Sequence, residues 1–150
     1  GWVLGGGVLV LLAIVLQIIL GGKVASNYAG LACAADFPLC FGKLAPTFKG
    51  LVGLHVMHRL GAYLTFVVVI VFFAVLNFAK MRSTHPRLVK ISRMLITLVL
   101  VQIAVGIANI KFLLPALITV IHTILAAGIV ATVIFIIFLS VNGESHSKSG

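Results

Sequence analysis

Two histidines and an arginine lie close together in an apolar part of the sequence. Residues 55–59 read HVMHR, near the start of an apolar run, and a further histidine, His122, lies in a later apolar run. A neutral imidazole nitrogen is a ligand for haem iron, and two of them can hold one iron from both sides. Imidazole and guanidinium groups are costly in hydrocarbon, where an arginine at mid-membrane costs about 3 kcal/mol. Their presence there indicates a function or a specific partner.

The elements that must position these side chains are membrane helices. The chain is 62% hydrophobic and 9% charged, with a mean hydropathy of +1.30, which excludes an ordinary soluble domain. Each of its four apolar segments reaches the ~20 residues that a helix needs to cross a bilayer. These segments are 2–21, 51–78, 91–110 and 113–140. The sequence therefore predicts an all-α, polytopic membrane four-helix bundle over residues 1–141, followed by a disordered polar tail over 142–150.

The basic residues predict how this bundle is oriented. Five of the eleven lie in or beside the short link between the second and third segments: Lys80, Arg82, Arg87, Lys90 and Arg93. Short basic links face the cytoplasm, so both termini are expected to be cytoplasmic and the long link 22–50 to lie on the outer face. A net charge of +9 also suits nucleic-acid binding. The basic residues are concentrated in one link, which is better explained by membrane orientation than by nucleic-acid binding. No nucleic-acid partner is therefore predicted.

The two cysteines lie in the outward link, in CAADFPLC. Two thiols seven residues apart in an oxidising compartment predict a disulfide between Cys33 and Cys40, with two reduced thiols as the alternative. Zinc is disfavoured because the link holds no histidine and one carboxylate, Asp36.

A short pattern occurs twice in the sequence. Gln17 and Gln102 each start a Gln-Ile-x-x-Gly pattern, and each pattern is followed, after an outward link, by a segment with a histidine near its outer end. This similarity indicates two helix pairs related by an approximate twofold axis along the membrane normal.

The depth of the histidines connects this repeat to the chemistry. His58 and His122 each lie seven residues inside their segments, which start near Leu51 and Pro115, or roughly 10 Å below the outer helix ends. Both segments run inward, so the two imidazoles are expected to face each other across the bundle core and to ligate one haem iron. The competing interpretation is that each histidine forms hydrogen bonds between helices and holds no cofactor.

Arg59 needs an anionic partner at this depth. The chain has two carboxylates, Asp36 and Glu144, and Glu144 is predicted on the opposite side of the membrane. A porphyrin propionate would serve as the partner of Arg59. His55 lies one helical turn outward of His58 and about 60° around the helix, so it can border the same cavity but cannot oppose His58 across a porphyrin ring.

Three stretches together resemble the heme A synthase family, whose members are membrane enzymes that oxidise a methyl group of heme O to give heme A. They are SNYAGLACAADFPLCFG, HVMHRLGA and VQIAVGIANIKFLLPALITVIHTILAA, and the resemblance covers residues 1–141. The family has two four-helix repeats, each with a histidine pair on its second and fourth helices, and many members have a cysteine pair in the outer link. The resemblance implies that His58 and His122 are axial ligands and that Cys33 and Cys40 are the loop cysteines.

The sequence departs from the family at one position. The catalytic half resembles Glu-x-x-His-Arg, with the glutamate near the reacting methyl group, whereas His55 stands at that position here and no span contains Asp or Glu. The chain therefore looks like the other, C-terminal half, whose haem is a resident b-type electron-transfer cofactor, and His55 is the one candidate catalytic residue. The sequence begins without methionine inside a span, so a missing N-terminal half is one expectation, and a half-length protein that self-associates is another.

The resemblance implies a haem-binding protein of a bacterial-type inner membrane that takes part in heme A formation. It would act in membrane lipid with a second half, a second copy or a respiratory oxidase complex. The alternatives are a b-type cytochrome subunit that transfers electrons or anchors a respiratory complex, and a purely structural four-helix subunit without haem.

Overall fold

The computed structural model describes residues 1–34, 36–77 and 85–147, and this part of the chain contains four long helices and a short 3-10 turn. Each long helix is apolar enough to cross a membrane, which confirms the all-α, four-span prediction and identifies a multi-pass membrane protein. The helices are α1 (Trp2–Ser26), α2 (Gly50–Asn77), α3 (Pro86–Lys111) and α4 (Ala116–Ser147), and the 3-10 turn is Ala29–Leu31.

Some predicted features involve residues that the structure does not describe. Lys80 and Arg82, which contribute to the orientation prediction, lie outside the described residues, as does residue 78, the predicted end of the second span. Helix α4 continues to Ser147, and the rest of the predicted polar tail, residues 148–150, also lies outside them.

The ends of the helices follow from local chemistry. Asn27 ends α1, and its side-chain amide donates to the Lys23 carbonyl at 2.9 Å. Pro86 begins α3, where its missing N–H costs nothing because the first turn leaves that donor unpaired. Between α3 and α4 the link is tight, and the Leu114 N–H donates to the Asn109 carbonyl at 2.8 Å.

The four helices form a square in cross-section. Helix α1 packs on α2 and α4, and α3 packs on α4 and α2. Helices α2 and α4 therefore stand at diagonal corners of the bundle. This arrangement matches a pairing of α1 with α2 and of α3 with α4.

The two ends of the bundle differ in what they bury. The end near the chain termini, the terminal end, is a continuous apolar core. Its buried members are Val3, Val10, Ile14, Val69, Phe72, Leu76, Leu88, Leu95, Val99, Ile129, Val133 and Ile136. The opposite end, the loop end, carries the link 27–49 and the link 112–115. It buries His55 and Arg59, and it half-buries His58 and His122.

Candidate functional site

His58 is held by two residues of the preceding helix. The Gln17 amide nitrogen on α1 donates to His58 Nδ1 at 3.0 Å and to the His58 backbone carbonyl at 2.9 Å. Gly21 follows one turn later, and a Cβ atom there would lie 3.0 Å from His58 Cε1. We call Gln17, Gly21 and His58 the first histidine seat. The glutamine orients the ring, and the glycine leaves room for its edge.

His122 has the same surroundings in the other helix pair. The Gln102 amide nitrogen on α3 lies 3.3 Å from His122 Nε2, and a Cβ atom at Gly106 would lie 3.0 Å from His122 Cε1. Gln102, Gly106 and His122 form the second histidine seat. The Gln-Ile-x-x-Gly repeat therefore has a structural meaning, because residues four apart lie on one helix face and both touch the histidine of the next helix.

Both seats lie at the loop end of the bundle. His58 lies eight residues after Gly50, where α2 begins, and His122 lies six residues after Ala116, where α4 begins. The predicted depth of seven residues for both histidines is thus off by one residue in each helix. Helices α2 and α4 thus each carry one histidine at the loop end, and ligation of one iron by both stays a prediction.

Arg59 and His55 are buried beside the first seat, with 7% and 2% of their surfaces exposed. Arg59 Nε donates to His55 Nε2 at 3.1 Å, and Arg59 Nη1 donates to the Leu39 backbone carbonyl at 2.8 Å. The guanidinium also lies 5.8 Å from the centroid of the Phe37 ring. Two of its nitrogens have protein partners, and Nη2 has none.

The loop that Arg59 reaches is closed by a disulfide. Cys33 and Cys40 are joined as predicted, with Cα atoms 4.9 Å apart, and both are fully buried. They pack against the buried Val56 of α2. Since Leu39 precedes Cys40, the arginine and the disulfide together hold the loop over the end of α2.

Several buried polar atoms around the two seats have no hydrogen-bond partner. They include Oε1 of Gln17 and of Gln102, Nδ1 of His122, Nη2 of Arg59 and the Tyr63 hydroxyl. An unpaired buried polar atom costs about 1–3 kcal/mol, so a concentration of them in one place requires an explanation. A polar or coordinating group between the seats would supply one.

The donor set restricts what that group could be. Among residues 1–34, 36–77 and 85–147, no three His, Cys, Asp or Glu side chains gather as they would around a bare metal ion. Two imidazoles are enough for an iron whose other ligands come from a porphyrin. A cavity of about 280 Å³ lies elsewhere, between α1 and α2 near Trp2 and Phe72, and its lining is apolar.

The structure places all four residues that the sequence proposed for the site, His55, His58, Arg59 and His122, at the loop end of the bundle. Sequence reasoning missed the two glutamines and the two glycines as parts of it. The repeated Gln-Ile-x-x-Gly pattern was the available signal, since it placed the same two residue types before each histidine.

Comparisons with known proteins give a consistent result. The family model COX15-CtaA, described as cytochrome oxidase assembly protein, matches residues 3–134. The chain is 34% identical over 137 residues to the heme A synthase of Rickettsia felis, which covers 84% of this chain and 39% of that protein. It is 31% identical over 143 residues to the heme A synthase of Shewanella oneidensis, covering 80% of this chain and 41% of that protein.

A more distant relative is the heme A synthase of Halalkalibacterium halodurans, 29% identical over 119 residues that cover 79% of this chain and 39% of that protein. The chain thus spans about two fifths of the length of the curated relatives it matches. No solved structure matches it.

Proposed function

The chain belongs to the COX15-CtaA family of cytochrome oxidase assembly proteins, and we propose that it takes part in heme A formation as a haem-binding, electron-transfer half. In this proposal His58 and His122 are the axial ligands of one b-type haem. The reaction served would be the oxidation of the heme O methyl group that the resemblance to heme A synthases implies, and the relatives carry that enzyme name.

The observation that carries the proposal is the pair of histidine seats. Two helices at diagonal corners each carry one imidazole at the loop end of the bundle, and each imidazole has an amide beside it from the preceding helix. Nδ1 of His122 and Nη2 of Arg59 are buried and have no hydrogen-bond partner. A porphyrin fits this donor set, because it needs two axial nitrogens and a cation for its carboxylates.

The residues divide the work of binding. His58 and His122 would fill both axial positions, and Arg59 would pair with a propionate through the nitrogen that has no protein partner. His55 accepts from Arg59 Nε and so holds the guanidinium in place. When bound, the haem supplies one-electron transfer, which needs no open position at the iron.

The orientation of the chain is part of the proposal. The loop end, with the link 27–49, would face the outer side of a bacterial-type inner membrane, and both termini would face the cytoplasm. Support comes from Arg87, Lys90 and Arg93, which lie in the first turns of α3 at the terminal end. The partner would be a second half or a second copy of this fold, or a respiratory oxidase complex.

The haem site is tested on the protein purified in detergent. We expect a low-spin haem with the optical and electron paramagnetic resonance (EPR) signals of two nitrogen axial ligands. A preparation that takes up no haem from a host rich in haem, or that shows a high-spin iron with one open position, would contradict the assignment.

The electron-transfer role has a separate test. Oxidation of an unactivated methyl group needs proton transfer beside the reacting carbon, and the usual groups for it are Glu, Asp or His. No membrane segment holds a carboxylate, and His55 is already engaged by Arg59. Expression of residues 1–150 in a host that accumulates heme O and lacks its own synthase should yield no heme A. Heme A in the extract would make His55 the first catalytic suspect.

A further inference from the structure

We infer that Gln17 and Gln102 are positioning residues that set the orientation and the electron density of the two histidine ligands. This inference rests on the proposed function, because it concerns how the histidines present themselves to a haem iron. It concerns residues that do not contact the iron themselves and that act through His58 and His122.

The placement of the two amides is specific. They are the only two glutamines in the chain, and each lies on the helix that precedes a histidine-bearing helix. The Gln17 amide nitrogen is 3.0 Å from a ring nitrogen of His58, and the Gln102 amide nitrogen is 3.3 Å from a ring nitrogen of His122. Both side chains are half-buried in an apolar bundle, where an amide without a partner is costly.

The unpaired oxygens give the amides a second role. The Oε1 atoms of both glutamines are buried and accept no hydrogen bond. When one nitrogen of a neutral imidazole binds a metal, the other nitrogen carries the proton and needs an acceptor. The amide oxygen on the same glutamine side chain is the acceptor that metal binding would require.

Each seat would reach this arrangement when its glutamine amide rotates by a half-turn. At His58, a half-turn of the Gln17 amide exchanges its nitrogen and oxygen and presents Oε1 to Nδ1, at the expense of the bond to the His58 carbonyl. At His122, where the Gln102 amide lies beside Nε2, a half-turn of that amide presents Oε1 to Nε2 and leaves Nδ1, which has no partner, for the metal. The nitrogen that then remains for the iron is Nε2 at His58 and Nδ1 at His122.

A hydrogen-bond acceptor beside the ring nitrogen that does not bind the iron changes the properties of the histidine ligand. It makes the imidazole more basic, which favours ferric over ferrous iron and lowers the reduction potential. A carboxylate accepts more strongly than an amide, and an alkyl group does not accept at all. The two replacements should therefore shift the potential in opposite directions.

The experiment uses the whole chain with its haem, in detergent. We expect Gln17→Leu and Gln102→Leu to raise the midpoint potential and Gln17→Glu and Gln102→Glu to lower it, with the low-spin bis-histidine spectrum kept. The EPR signal reports ring orientation independently. Haem lost on the leucine change and regained on the glutamate change would support the same role.

The glycines of the seats supply a matched pair of variants. Gly21→Ala places a Cβ 3.0 Å from the His58 ring, whereas the Cβ of Gly22→Ala meets nothing within 4 Å. Only the first should shift the EPR signal.

The outcomes separate the two proposals. A wild-type protein without a bis-histidine spectrum overturns the proposed function, and the positioning role with it. A wild-type protein with that spectrum whose potential and EPR signal are the same in all four glutamine variants overturns the positioning role alone. Equal haem loss in the leucine and glutamate variants would also overturn it, because a residue needed only for packing gives that result.

Discussion

The two helix pairs of this bundle carry the same histidine seat but differ in what surrounds it. Each has a glutamine and a glycine one turn apart that contact the histidine of the following helix. In α1–α2 the seat is bordered by His55 and Arg59 and by a disulfide-closed loop. In α3–α4 the corresponding positions, three residues before and one after the histidine, are Thr119 and Thr123, and the link is short.

This difference separates two tasks. Axial ligation would be shared equally between the pairs, because the seats are alike. Recognition of an anionic edge would belong to α1–α2 alone, since Arg59 lies there and the threonines bond within their own pair. Thr119 donates to Asn109 Oδ1 at 3.0 Å, and Thr123 donates to the Thr119 carbonyl at 3.0 Å. A bound porphyrin would therefore have one preferred orientation.

The largest expected effect tests whether the seats are equivalent. His58→Ala and His122→Ala should each abolish the low-spin bis-histidine spectrum and most bound haem, because each removes one axial ligand. Absorption spectra and haem extraction measure both. His85→Ala is the control, since His85 is exposed at the start of α3. Unchanged spectra in either seat variant would refute the shared-ligation half of the comparison.

The next effect concerns the loop that only the first pair has. The disulfide closes a small ring and should contribute about 2.5 kcal/mol in the entropy model, or a Tm change of roughly 5–10 °C. We expect reductant to lower the Tm of the wild-type protein and to leave that of Cys33→Ser/Cys40→Ser unchanged. Mass spectrometry of non-reduced peptides should find the two cysteines linked. Alkylation of both thiols without prior reduction would show that no disulfide closes the loop, and the two helix pairs would then not differ in this respect.

A smaller effect distinguishes Arg59 from its counterpart. Hydrogen bonds to charged groups contribute about 1.5–3 kcal/mol, so Arg59→Leu should weaken haem retention about tenfold or more. Thr123→Leu changes an exposed residue at the corresponding position and should stay within about twofold. Competition with a haem-binding acceptor protein measures both. Equal losses would show that neither pair has a special role at the porphyrin edge.

The smallest effect is expected at His55. Its Nε2 accepts from Arg59 Nε, and it lies one turn from the proposed ligand. His55→Ala should keep both axial ligands and the low-spin spectrum, and shift the midpoint potential or the haem occupancy modestly. Redox titration measures the shift. A high-spin spectrum in this variant would mean that His55, and not His58, ligates the iron.

Most of the fold could be predicted from the sequence because hydrocarbon offers no hydrogen-bonding partners to the backbone. Every backbone polar group must be paired inside a segment that crosses hydrocarbon, so four long apolar runs can only be four helices. Polar side chains are costly in hydrocarbon, so His58 and His122 stand out in the sequence, where each interrupts an apolar run at a similar depth. The Gln-Ile-x-x-Gly repeat in the sequence likewise predicted two similar helix pairs.

The contacts of the site were decided by tertiary structure. In lipid both the inward and the outward faces of a helix are apolar, so hydropathy does not reveal how a helix is rotated about its axis. Only the packing of α1 on α2 shows that Gln17 and Gly21 face His58. Likewise, Arg59 was expected to need an anion, yet folding gives it His55 and the Leu39 carbonyl and leaves one nitrogen unpaired. The sequence determined which residues lie at that depth in the membrane, and the packing of one helix against another decided which atoms they contact.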